Sequence, residues 1–137
     1  MEVWLLSGLL ISKVQKKLIE IELLWGVPRK EIMRFLVRAT LTNAAGNALC
    51  TDKEMGHKME AILSEVRPES VYFGIEHGQR SLFCIVNVDG SHELPRIAEP
   101  FWLGLKADVE FIPVMNQDEF KKASTYIESS TRKFNWK

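Results

Sequence analysis

The stretch Ser70-Val71-Tyr72-Phe73-Gly74-Ile75-Glu76-His77-Gly78-Gln79-Arg80-Ser81-Leu82-Phe83-Cys84-Ile85-Val86-Asn87-Val88 decides the fold. Residues 70–77 and 80–88 are rich in β-branched, aromatic and aliphatic side chains that alternate between two sets, the period of a strand. Gly78-Gln79 between them offers the positive φ that a tight hairpin needs. Two antiparallel strands are therefore expected here.

Upstream, Phe35, Val37, Ala39 and Leu41 alternate with Leu36, Arg38 and Thr40, which predicts another strand from Met33. Asn43 to Asn47, around Gly46, reads as a loop. Thr51 or Asp52 then caps a helix carrying Met55, Met59, Ile62, Leu63 and Val66 on one stripe and ending before Pro68. Downstream, Ser91 is a cap candidate for a helix with Leu94, Ile97, Ala98 and Phe101 on its apolar face. Pro95 suits a first turn, whereas Pro100 lacks an amide donor and clashes with the preceding turn, so a kink or break is expected near Glu99. Ala107 to Met115 reads as a last strand in which Pro113 favours a sheet edge or a strand end. Asn116 caps a final helix with Asp118 and Glu119 in its first turn and Phe120, Ala123, Ile127 and Phe134 along one side. The element order is βαββαβ with an added C-terminal helix, an α+β arrangement of the ferredoxin-like kind with an antiparallel sheet.

Residues 1–32 read differently. Val14, Leu18, Ile19, Ile21, Leu23 and Leu24 fit one helix ending near Gly26 and Pro28. Lys30-Glu31-Ile32-Met33 back-translates to codons containing AAGGAG just upstream of an ATG, the form of a bacterial ribosome-binding site, so the expected natural start is Met33. Residues 1–32 are then an extension and residues 33–137 the domain; the competing expectation is an N-terminal helix packed on that domain.

Composition narrows the functional classes. The 137 residues are 46% hydrophobic and 26% charged, a globular balance sufficient for one core. With 18 basic and 18 acidic residues the formal net charge is zero, which argues against nucleic acid as a partner. The apolar run Val3 to Ile11 is interrupted by Ser7 and Gly8 and falls well short of the roughly 20 residues that span a bilayer. Glu2 and the lack of a small-residue cleavage site also argue against a secretory signal. Cys50 and Cys84 are far apart and outside any CxxC spacing, so a cytoplasmic protein without disulfides is expected.

Alternation also sorts the strand residues by face. One set, Phe35, Val37, Ala39, Leu41, Val71, Phe73, Ile75, Leu82, Cys84, Val86, Val88, Val109 and Phe111, is almost wholly apolar and belongs under the helices. The other mixes Leu36, Phe83, Ile85 and Ile112 with Arg38, Thr40, Tyr72, Glu76, Asn87, Asp108 and Glu110. Left open to water, the second set would be a large apolar patch, the usual mark of an interaction surface. A homodimer packed sheet to sheet would bury it and leave a partly polar cavity.

Ser91-His92-Glu93-Leu94-Pro95, Ala98-Glu99-Pro100-Phe101 and Val109-Glu110-Phe111-Ile112-Pro113-Val114-Met115, in this order of elements, resemble the dimeric α/β-barrel superfamily. Ala45-Gly46-Asn47, Arg67-Pro68-Glu69-Ser70-Val71-Tyr72-Phe73 and Glu76-His77-Gly78-Gln79-Arg80 look more closely like a group of small bacterial proteins without an assigned reaction. The resemblance covers residues 33–137. It implies a dimer whose sheets enclose a ligand cavity in each protomer, as in muconolactone isomerase, cofactor-independent quinol monooxygenases and haem-binding members. It carries no mechanism over, because those relatives use different residues in the same cavity.

The candidate site follows from the mixed face. Glu76 as a base and Arg38 as an anion anchor form the pair an isomerase needs for a carboxylate substrate; the competing reading is a structural ion pair in the interface. Tyr72, Asn47, Asn87, Glu99 and Glu110 are candidate ligand-binding residues, each with a packing or turn-forming alternative. His57, His77 and His92 lack any ligand spacing, so no metal site is expected, and no haem-ligand pattern, phosphate loop or nucleophile elbow suggests a cofactor. The function expected is a cofactor-independent isomerase or monooxygenase acting on a small organic acid or aromatic compound. The alternative is a dimeric protein that binds a small molecule without turnover or serves a stress-associated role.

Overall fold

A computed structural model describes residues 3–6, 9–26 and 32–137 of the chain. Its contacts divide it into two units, Met1–Glu31 and Ile32–Lys137.

In the first unit, β1 (Val3–Leu6) and β2 (Leu9–Ser12) pair antiparallel, with Val3 opposite Ser12. Helix α1 (Lys13–Trp25) begins with a reciprocal cap: the Gln15 N–H donates to the Ser12 hydroxyl (3.2 Å) and the Ser12 N–H to the Gln15 side-chain carbonyl (3.1 Å). It stops at Gly26, whose φ of +54° is left-handed and whose N–H donates to the Glu22 carbonyl. The helix and its glycine stop are where the sequence places them.

The second unit is α+β. It runs β3 (Met33–Thr40), α2 (Asn43–Thr51), α3 (Met55–Val66), β4 (Ser70–Glu76), β5 (Gln79–Val88), a 3-10 turn (Ser91–Glu93), α4 (Leu94–Leu105), β6 (Asp108–Pro113) and α5 (Gln117–Phe134). The strands form a four-stranded sheet in the order β4-β5-β3-β6 with every neighbouring pair antiparallel, an arrangement compatible with the ferredoxin-like pattern. Helices α3 and α4 pack on each other and on one side of it, and Val37, Ala39, Leu82, Cys84, Val86, Val88, Ile62, Val66, Ile97, Phe101 and Leu105 are buried between. Phe35 and Phe111 meet edge to face with centroids 5.8 Å apart at the rim of this core. Pro113 is the last residue of an edge strand, the position its missing donor allows.

Several local expectations are corrected. The segment 43–47 is not a loop but the start of α2, because the Thr42 hydroxyl accepts the Ala45 N–H (3.1 Å) and starts a helix that the alanines continue. The 70–88 turn falls on His77 and Gly78 rather than Gly78-Gln79: both have positive φ (+49° and +73°), as a two-residue hairpin loop matched to strand twist requires. Helix α3 starts at Met55, and Asp52 serves the turn before it by accepting the Glu54 N–H (2.9 Å). Ser91 does not cap α4; Glu93 stands at the N-cap position without a side-chain bond to the helix amides, its carboxylate instead accepting the Asp89 N–H of the preceding turn at 2.7 Å. Helix α4 also runs unbroken across Pro100, since the buried stripe Ile97, Ala98, Phe101 and Leu105 outweighs the roughly 3 kcal/mol that an interior proline costs.

Phe73 and Ile75 lie on the helix side of the sheet by register but are 66% and 81% exposed. They belong to the outer half of edge strand β4, where the sheet runs on past its helical cover and a cavity opens instead.

Candidate functional site

The mixed face carries two polar clusters. Arg38, central in β3, stands directly across from Glu110 on β6 and from Phe83 on β5, which in turn faces Tyr72 on β4. Its guanidinium is long enough to bridge: Nη1 donates to Glu76 Oε1 at 2.5 Å and Nη2 donates to Glu110 Oε2. The hydrogen bond to Glu110, and then the partner charges, raise the pKa of Arg38 further above its ordinary value, against partial desolvation. Arg38 and Glu76 are largely sheltered, whereas Glu110 is 60% exposed. The network has a firm arm and a loose one.

The second cluster sits toward the start of β3. Arg34 Nη1 donates to both oxygens of Glu119 (2.7 and 2.6 Å), and its Nε reaches Glu69 (3.5 Å). Asn87, opposite Arg34 in register, donates to the same Glu69 oxygen (3.0 Å). Glu119 is shared with the cap of α5: it accepts the Asn116 N–H (2.7 Å) while Asn116 accepts its N–H (2.8 Å). The bond from Asn116, and then Arg34, hold the Glu119 carboxyl below the usual glutamate range despite partial desolvation.

The residues singled out from sequence therefore separate. Arg38, Glu76 and Glu110 come together, with Tyr72 exposed on the same face beside Phe83. Asn87 joins the Arg34 cluster. Asn47 lies on α2, where its side-chain carbonyl accepts from Arg80 Nη1 (3.1 Å) on the helix side of the sheet. Glu99 is on the exposed side of α4, away from the mixed face. Leu36, Phe83, Ile85 and Ile112, the apolar members of the mixed face, are half-buried.

Arg34, Glu69, Glu119 and Arg80 were not anticipated. Arg34 is in phase with Leu36 and Arg38, and Arg80 with Leu82 and Cys84, so alternation carried a signal for both; nothing local signals that Glu119 folds back onto β3.

The chain matches no known protein family, and no curated protein or solved structure is significantly similar to it. Among the described residues no helix is long and apolar enough to cross a membrane.

Proposed function

We propose that residues 33–137 form a homodimer of the dimeric α/β-barrel kind, similar to the small bacterial group named above, that takes a small organic acid or aromatic compound in the reducing cytoplasm. The observation carrying this reading is the face that combines Leu36, Phe83, Ile85 and Ile112 with the Arg38 network, opposite helices α3 and α4. Packing it on a copy would withdraw apolar surface from water and strengthen the ion pairs by excluding solvent. Two free thiols, Cys50 and Cys84, fit a reducing compartment.

A cofactor-independent isomerase or monooxygenase would use Glu76 as base and Arg38 as anchor. Arg38 already holds two carboxylates, so a substrate carboxylate has to displace one, and the exposed Glu110 is the one that yields. The same saturation of Arg38 favours the second reading, a dimeric binder or stress-associated protein with no turnover, because Glu76 Oε1 is already engaged by the Arg38 guanidinium at 2.5 Å.

Light scattering on the purified chain tests the dimer: twice the mass of one chain is expected, falling to one for Ile112→Glu. A single-chain mass for the unaltered protein overturns it. Turnover of a small aromatic or carboxylic acid, lost in Glu76→Gln with folding retained, separates enzyme from binder.

A further inference from the structure

On the other side of the sheet, within one protomer, a cavity of about 520 Å³ opens between the β4–β5 hairpin and helices α2 and α3. That volume is in the range of small-molecule pockets, roughly 300–1,000 Å³, and far above the voids that close-packed cores leave. Leu41, Leu49, Met55, Met59, Phe73 and Leu82 are the large apolar side chains that line it beside Leu105. Methionine and leucine side chains at the ends of a helix stripe make an adaptable apolar lining.

Arg80 is the cationic side chain in the lining. It continues the inward row of β5 that includes Leu82 and Cys84, so its side chain leaves the sheet on the cavity side. Gly46 makes room for it on α2, since a Cβ there would lie 2.8 Å from Arg80 Nη1. Asn47 holds the guanidinium through a neutral amide at 3.1 Å. Among the described residues no carboxylate pairs with Arg80, in contrast to Arg34, Arg38 and Arg96. An exposed guanidinium bordering an apolar cavity, held by a neutral amide and bonded to no carboxylate among the described residues, suits an anion attached to an apolar body. Glu60 also lines the cavity and is the feature that would favour the opposite charge.

We infer that this cavity binds an amphiphilic monocarboxylate, its alkyl or aryl body among Leu41, Met55, Met59 and Phe73 and its carboxylate on Arg80. The site goes beyond the interface reading and does not depend on it, because it is complete in one protomer and lies on the opposite side of the sheet.

Cys50 makes the inference measurable. It is exposed, lines the same cavity, and is the accessible thiol, Cys84 being buried. With the full chain, N-ethylmaleimide labelling of Cys50 is followed by mass spectrometry in decanoate, decanol or decyltrimethylammonium, alongside thermal melting. Decanoate is expected to slow labelling saturably and raise the melting temperature, decanol to do so more weakly, and the cation least. Arg80→Gln is expected to weaken decanoate about tenfold to a hundredfold, the worth of a hydrogen bond to a charged group, and leave decanol unchanged. Arg80→Lys is expected to retain the preference for the anion and, with the ligand series on the unaltered chain, decides the matter should the glutamine variant not fold. Failure of decanoate to protect Cys50, equal protection by the cation, or unchanged decanoate affinity in folded Arg80→Gln overturns the assignment. Light scattering reports on the dimer separately, so the two readings fail by different measurements.

Discussion

Gly46 of α2 lies directly beneath the guanidinium of Arg80, with room for a hydrogen at its α-carbon but not for a methyl group: a Cβ would come 2.8 Å from Nη1 and 3.2 Å from Cδ. Gly46→Ala therefore displaces Arg80 while raising helix propensity, and the obstructed atoms belong to a flexible side chain that can swing away. Stability in urea is expected to hold or rise by up to about 1 kcal/mol, the usual helical gain of alanine over glycine. Decanoate affinity is expected to drop in the same variant. Isothermal calorimetry beside the urea titration reads both.

Cys84 is fully buried in β5, and burial pushes its thiol up to about 11. Its neutral form is the one the fold favours, so the native state holds this proton after the unfolded chain has lost it. Stability is then expected to fall as pH rises from the ordinary thiol value toward 11, by on the order of 2–3 kcal/mol for a shift of this size. Cys84→Val should flatten that alkaline slope in denaturant titrations. In the same vein, native protein at mild pH should consume one equivalent of maleimide, and unfolded protein two.

At the acid end the sign reverses. The Asn116 N–H and Arg34 hold Glu119 below its ordinary range, so its contribution is present above the unfolded carboxylate pKa and lost as pH falls through the lower folded value. The stability difference between the unaltered chain and Glu119→Gln should be constant near neutrality and shrink below about pH 4. Asn116→Ala removes the other half of the cap and is expected to cost about 1 kcal/mol, with fraying confined to α5 in hydrogen exchange.

Among the described residues Phe101 is the largest fully buried side chain, one residue after Pro100 on α4. Phe101→Ala should cost about 3–5 kcal/mol, a large part of the roughly 5–15 kcal/mol available to a domain. Thermal melting at neutral pH measures it.

The parts of this fold that can be read along the chain are those set by nearest neighbours. The hairpin at 70–88, the strand from Met33, the end of β6 at Pro113 and the Asn116 cap each depend on a few adjacent residues, and each is found. Helix α2 escaped because Asn43 to Asn47 has a turn-like composition, and only the distant Arg80 explains why a glycine sits inside a helix there. Helix α4 crosses Pro100 because tertiary burial of its stripe overrides a local penalty. Alternation gave Phe73 and Ile75 the right side of the sheet but carried no information on how far the helices extend over it. The site divides in the same way. Arg38 and Glu110 meet as cross-strand neighbours, which periodicity can suggest, whereas Asn47 with Arg80 and Asn87 with Glu69 depend on packing between separated segments.

The two margins of the sheet are not equivalent. β6 ends in Pro113 and carries Asp108 and Glu110, a combination that discourages a further strand from docking there. β4 lacks proline and presents Tyr72, Phe73 and Ile75 to solvent along its free backbone. Lengthening of this sheet by a foreign peptide therefore has a preferred direction, and a charge placed at Phe73 or Ile75 is the change that would close it.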